Sequence, residues 1–255
     1  DLKAGDPGKK LAAVRKIYQR CVCIPTDGLD DFFREYVALE KTASEQLAEQ
    51  LLPEYTEKYT NAKLVYKERK RLLSRIDLDK LAKIPGVNHV CGDLEQLNSW
   101  NKYIRYESNL VSMDPFQHKL LMTAVYEQCL CCFRHYPEIW LAYARYTRIV
   151  LQDASGGAPA SVLPIRAVYR EAISNIPYCA LLRLAWAEVE EEFGNIEIAR
   201  DILKQAYENI PSPLTFTCLQ RFIRKKEGKS AARKCFSETL PLRNERKLGI
   251  EVSKL

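Results

Sequence analysis

Apolar residues recur along this chain at steps of three and four, the spacing that puts side chains on one face of an α-helix. In LAAVRKIYQRCV, Val14, Ile17, Tyr18 and Cys21 share a face, and Pro25 with Gly28 closes the run. In DFFREYVALEK, Phe33, Tyr36 and Glu40 share another, with Asp30 or Asp31 as the expected N-cap. A long helical tract over residues 44–75 follows, with Pro53 as its one expected break or kink. Residues 76–97 change character: Pro85, Gly86 and Gly92 interrupt short apolar stretches, and the segment reads as an irregular crossover. Helices resume over 97–108, 117–135 and 138–151 before DASGGAPASVLP, residues 153–164, which reads as a flexible loop. Five more helices follow up to Pro241, separated by Pro, Gly or Asn. Tracts rich in Val, Ile and Thr with period-two alternation are absent, so the expected fold class is all-α.

The helices alternate between two types. Type A carries an aromatic residue, a second one three positions on, and often a Glu four further: Phe33, Tyr36, Glu40, then Trp100, Tyr103, Glu107. Trp140 and Tyr143 repeat it without the Glu, Trp186 and Glu190 without the first aromatic, and Phe222 marks a degenerate copy. Type B begins with Arg, has an aromatic or apolar residue three on and a small residue three further, and is followed by Pro. Its copies are Arg15 with Tyr18; Arg166, Tyr169, Ala172, Pro177; Arg200, Leu203, Ala206, Pro211; and Arg233, Phe236, Pro241. Tyr126, Cys129 and Pro137 form a further copy, with Thr123 in place of Arg. Successive type B markers lie 43, 34 and 33 residues apart (Tyr126, Tyr169, Leu203, Phe236), the period of a helical-hairpin solenoid. A lone hairpin cannot bury its apolar stripe, so each must stack on the next, large aromatic residues against small ones. A carboxylate on the aromatic face must be paired there, and Glu107 and Glu190 are each expected to meet an Arg, a Tyr hydroxyl or a backbone amide.

Composition adds bounds to this picture. The 255 residues are 47% hydrophobic and 28% charged, enough for a sizeable core. No apolar run approaches the ~18 residues that span a bilayer. The first residue is Asp1, and the chain reads as a segment of something longer. The net charge of +6 is mild and interspersed, which permits an acidic partner without requiring one. Nine cysteines spread through helical segments read as reduced thiols. Cys129 and Cys132 form C-x-x-C and Cys21 and Cys23 form C-x-C, but no second pair lies at zinc-module spacing, and Cys129 falls in the small-residue slot. No catalytic set can be assembled around His89, His118 or His135, so neither metal, cofactor nor enzymatic activity is expected. The basic runs Lys67, Arg69, Lys70, Arg71 and Arg224, Lys225, Lys226 are candidates for contact with RNA or an acidic partner.

The alternation of W-x-x-Y-x-x-x-E helices with R-x-x-Y-x-x-A helices ending in Pro resembles the half-a-TPR (HAT) repeat. The strings AVRKIYQR, FREYVALE, YTNAKLVYKERKRL, WNKYIRYESN, AVYEQCL with HYPEIWLAYARY, and AVYREAIS, in this order, are similar to the family of large HAT-repeat scaffold subunits of cleavage stimulation factor. The resemblance implies a right-handed α-solenoid of antiparallel hairpins and a non-catalytic nuclear scaffold of mRNA 3′-end cleavage and polyadenylation. It also implies docking of other cleavage-factor subunits and a homodimer built through later repeats. Residues 1–10 would then be a disordered lead-in, 11–75 the end of an amino-terminal HAT subdomain, 76–97 the crossover, 98–242 the start of a carboxy-terminal subdomain and 243–255 a basic tail. The chain departs from the family in the loop at 153–164, in stopping after few repeats, and in Arg183, which stands where an aromatic residue is usual. Two other functions remain open on the same residues: a HAT scaffold of splicing or ribosome biogenesis, and a solenoid that binds RNA directly.

Overall fold

The computed structural model of the chain describes residues 7–84, 90–110, 114–155 and 161–245. Among them are eleven α-helices and no strand. They are α1 (Pro7–Cys21), α2 (Leu29–Ala43), α3 (Glu45–Leu73), α4 (Val90–Ser108), α5 (Pro115–Phe133) and α6 (Pro137–Ser155). After residues 156–160 come α7 (Leu163–Asn175), α8 (Ala180–Glu192), α9 (Ile196–Asn209), α10 (Pro213–Lys226) and α11 (Lys229–Glu245). Types B and A alternate over α1–α2 and again from α4 to α11, with α1, α5, α7, α9 and α11 of type B, α2, α4, α6, α8 and α10 of type A, and the long α3 between the two runs. The all-helical class and the hairpin architecture are as the repeat implies.

Several boundaries differ from the sequence reading. Helix α1 starts at Pro7, so residues 7–10 are helical rather than a disordered lead-in; proline is well suited to a first helical turn, where its missing N–H is not needed. Helix α4 starts at Val90, inside the expected crossover, because Val90, Leu94 and Leu97 keep helical spacing through Gly92. Pro85, Gly86 and His89 lie outside the described residues. Pro53 sits inside a continuous α3 rather than ending it. Helix α6 continues to Ser155, three residues into the expected loop, and α11 to Glu245, into the expected tail. Neither Asp30 nor Asp31 caps α2. Gly28, at φ 74°, turns the chain instead. Asp30 then accepts from Tyr59 Oη at 2.6 Å and Lys63 Nζ at 2.8 Å, fastening the first turn of α2 to α3.

Two compact units result, residues 1–77 with 98–106 and residues 78–97 with 107–255. In the first, α1 packs on α2 and α2 on α3. Phe33 stacks on Tyr59 with ring centroids 4.1 Å apart, and Tyr36 meets Tyr55 edge-on at 5.4 Å. In the second, each helix from α5 onward packs on its successor, and the type A helices α6, α8 and α10 also touch in series. One cross-hairpin pair, the type B aromatic on the second type A aromatic, occurs twice there. Tyr126 stacks on Tyr143 at 5.0 Å, and Tyr169 on Trp186 at 6.1 Å. The small-residue slot, held by Cys129, Ala172 and Ala206, is 0% exposed in all three copies, since any larger side chain would hold the helices apart. The next copy replaces the aromatic pair by Leu203 and Phe222, in a core completed by Ile202, Tyr207 and Leu219. Phe236 of α11 closes it against Phe216, 5.6 Å away. The prolines punctuate as expected, although Pro137 opens α6 while Pro177 and Pro211 lie between helices.

The first aromatic slot carries a second recurrent bond. Trp140 Nε1 donates to the carbonyl of Arg134, six residues back, at 2.8 Å. Arg183, the departure from the repeat, donates from Nη2 to Pro177, also six residues back, at 3.0 Å. Arginine therefore reproduces the bond of the residue it replaces, at the expense of a buried Nε without a partner. Trp100 is fully buried, but the residue six back lies inside α4, where its carbonyl serves the helix, and the indole N–H has no acceptor. Trp140→Phe should therefore cost about 1 kcal/mol more than Trp100→Phe in urea unfolding followed by circular dichroism. Equal losses would show that the indole bond contributes nothing.

Candidate functional site

The buried charge of this protein is concentrated in one repeat slot. Among the described residues the buried charged side chains are Glu40, Glu107 and Glu190, each 0% exposed and each the Glu of a type A helix. Helical spacing puts them on the aromatic face, and for Glu40 and Glu190 the preceding type B helix supplies the counter-charge. Arg15 of α1 donates from Nε and Nη2 to the two carboxylate oxygens of Glu40 at 2.7 and 2.8 Å. Arg166 of α7 repeats this fork on Glu190, at 2.7 Å for each bond. Two more donors complete the Glu190 shell, Trp186 Nε1 and Asn195 Nδ2, both at 2.9 Å. Glu107 is buried to the same degree, and its main-chain carbonyl lies 3.0 Å from His118 Nε2.

Burial by itself would raise the Glu190 carboxyl pKa. The hydrogen bonds from Arg166, Trp186 and Asn195, with the Arg166 charge, outweigh it, so the net shift is downward. In the same way the bond to Glu190 holds the Arg166 guanidinium above its usual value against the opposing pull of burial.

The pair is missing from two hairpins, in different ways. In α5 and α6 the Arg slot is Thr123 and the Glu slot, four beyond Tyr143, is Thr147, so both charges are lost together. Thr147 turns back to the Tyr143 carbonyl at 2.9 Å, and Thr123 bonds the Tyr143 hydroxyl. A cavity of about 100 Å³ remains between them, lined also by Tyr146, whose buried hydroxyl has no partner. In α9 and α10 the Glu slot is Lys226, which reaches Glu191 at 2.9 Å. Arg200, left without its carboxylate, lies 2.9 Å from Glu227 on Nε, without hydrogen-bond alignment, and 3.1 Å from Glu197 on Nη2.

The basic runs are partly committed within the fold. Arg71 pairs with Glu68, Lys70 sits over the Tyr66 ring at 5.6 Å, and Lys225 reaches Glu191 at 2.6 Å. Lys67 and Arg69 stand on the same helix, α3. Arg224 borders a groove of about 900 Å³ floored by Leu141, Leu184 and Phe222 of α6, α8 and α10. The sequence reading missed this groove, because it depends on three helices distant in the chain lying side by side. It also missed Thr147 and Asn195, although counting four residues past Tyr143 would have found the first. Cys129 and Cys132 are buried, with burial pushing the Cys129 thiol upward. Among the described residues no group of three or more His, Cys, Asp or Glu is placed to hold a metal ion. Nor is any helix there long and apolar enough to cross a membrane.

Three outcomes follow from the pairs. Glu190→Ala leaves Arg166, Trp186 and Asn195 without their acceptor and should cost about 3 kcal/mol in chemical denaturation. Because the Glu190 pKa is lowered from 4.5, its contribution is complete above that pH and is lost as pH falls through the lower folded value. The difference in melting temperature between wild type and Glu190→Gln should therefore shrink below that pH, and a constant difference would contradict the pairing. Finally, Thr123→Arg with Thr147→Glu should fill the α5–α6 cavity and show a favourable coupling of about 1–3 kcal/mol in a double-mutant cycle, while each single change is destabilising.

The geometry has counterparts in known proteins. The Suppressor of forked protein (Suf) family matches residues 6–252. The Arabidopsis thaliana protein named cleavage stimulation factor subunit 77 is 34% identical over 232 residues, covering 89% of this chain and 30% of that protein. The mRNA 3′-end-processing protein rna14 of Aspergillus oryzae is 28% identical over 145 residues, covering 54% of this chain and 14% of that protein. For the Drosophila melanogaster protein suppressor of forked the identity is 27% over 134 residues, with coverage of 52% and 17%. In fold, the crystal structure of CstF-77 aligns with a TM-score of 0.58 at 16% identity, covering 94% of this chain and 48% of that one. The chain thus spans less than a third of the length of these curated relatives. With nearly every residue inside the family match, the chain belongs to the Suppressor of forked family of HAT-repeat proteins.

Proposed function

We propose that this chain is part of a non-catalytic scaffold of the nuclear mRNA 3′-end cleavage and polyadenylation machinery, which holds other subunits of that machinery on its helical surface. The observation that carries the reading is the 34% identity, sustained over 232 residues, with a protein named as a cleavage stimulation factor subunit. The physical design supports it. Buried carboxylates, stacked aromatics and zero-exposure small residues are spent on holding hairpins in phase, which yields an ordered helical surface rather than an enclosed site. Self-association through later repeats is part of the same proposal and rests on the family alone.

Direct RNA binding draws less support. Lys225, Lys226 and Arg71 are already paired with acids of their own fold, which reduces the charge available to phosphates. The immobilised chain, incubated with nuclear extract, should recover polyadenylation factors identified by mass spectrometry. Recovery of spliceosomal or ribosome-biogenesis proteins without any polyadenylation factor would overturn the proposal. Sedimentation across a concentration range reads the self-association.

A further inference from the structure

The groove described above has a composition that selects its occupant. Its floor comes from the type A helices of three successive hairpins: Leu141 on α6, Leu181 and Leu184 on α8, and Cys218 and Phe222 on α10. Leu181 is 51% exposed, so part of that floor faces solvent. Around it stand Arg145 from α6 and Arg221 and Arg224 from α10. All three guanidiniums are exposed, and none takes part in a hydrogen bond or ion pair among the described residues. Their neighbours behave otherwise. Lys225 and Lys226 converge on Glu191, Arg148 pairs with Glu192 at 2.7 Å and Arg166 with Glu190, so cations on these helices take an acid where one is in reach. Arg221 and Arg224 lie one helical turn apart and also border the next hollow, of about 520 Å³, which has Phe216 and Phe236 in its lining and Lys229 and Arg233 at its edge. The two hollows form an apolar track with a shared basic wall.

We infer that this track, from Leu141 on α6 to Phe236 on α11, is a docking groove for an acidic, leucine-rich peptide segment of a partner protein. The inference rests on the scaffold reading and adds where a partner binds and what it must carry. Apolar side chains of the peptide cover the leucine floor, and its carboxylates meet Arg145, Arg221 and Arg224. Nucleic acid fits poorly. Phe222 is only 6% exposed, so the floor offers no ring face on which a base could stack. A second copy of this chain fits poorly as well, because its net charge is +6.

The test uses three fluorescently labelled probes of roughly 12 units: a Glu/Leu amphipathic peptide, the same peptide with Lys for each Glu, and oligouridylate. The Glu/Leu peptide should bind the chain, weaken as salt is raised, and lose about tenfold in affinity on Arg221→Glu with Arg224→Glu. Arg145→Glu, on a different helix, should weaken it independently. The altered side chains are exposed, so both variants should retain the wild-type melting curve. Failure of the Glu/Leu peptide to bind, equal binding of the Lys peptide, displacement by oligouridylate, or unchanged affinity in the folded variants would each overturn the groove. The double variant also separates the two proposals in the nuclear-extract experiment. If wild type and variant recover the same polyadenylation factors equally, the groove falls and the scaffold stands. If wild type recovers none, the scaffold falls whatever the peptide does.

Discussion

A carboxylate with no exposure to water must meet a donor, and that requirement ties a type A helix to the type B helix before it. Arg15 on Glu40 and Arg166 on Glu190 are the same two-pronged contact, made about 150 residues apart in the chain and in separate compact units. An apolar pair of similar volume could leave such a hairpin as stable. What the fork adds is register. The guanidinium plane matches the carboxylate in one relative rotation and height of the two helices, whereas leucines would tolerate several. The aromatic stack and the zero-exposure small residue then fall into place on either side of it, as Tyr169, Trp186 and Ala172 do.

The periodicity was the readable part of the chain because it is a local physical demand repeated many times. Eleven helices, their order and their two types follow from steps of three and four residues together with proline and glycine punctuation. Helix ends were less legible. Nothing local in GVNHVCGDLEQL distinguishes a crossover from the first turns of α4, and Gly92 is tolerated inside a helix at a modest cost. The first turn of α2 misled in another way, since Asp30 has the chemistry of a cap but is engaged by Tyr59 and Lys63 of α3. Among the candidate site residues, the buried glutamates were visible because a charge in phase with tryptophan and tyrosine requires a partner. The identity of that partner was only half visible: Arg166 had been assigned to its own motif, and its distance of 24 residues from Glu190 is a property of the hairpin.

The groove was not legible at all, for a reason that applies to any stacked architecture. Its walls come from α6, α8 and α10, whose contributing residues are separated by whole hairpins and lie mostly outside the slots that define the repeat. A repeat motif records how each unit holds its neighbour. The surface left over is free to vary, and that is where Arg145, Arg221 and Arg224 stand. Apart from Phe222, which serves both, the residues proposed to bind a partner lie outside the repeat slots.

The uneven distribution of the fork also gives the second unit a polarity in its folding. In a linear stack, order spreads from whichever hairpin gains most from closing on itself. Helices α7 and α8 hold Arg166, Trp186 and Glu190, with Asn195 just after α8 completing the shell, whereas α5–α6 encloses a small void and α9–α10 lacks the carboxylate. The middle hairpin is therefore the expected starting point of order in this stack, with its neighbours fraying first. Amide protons of α7 and α8 should exchange last, and an unfolding chain should shorten toward them from both sides.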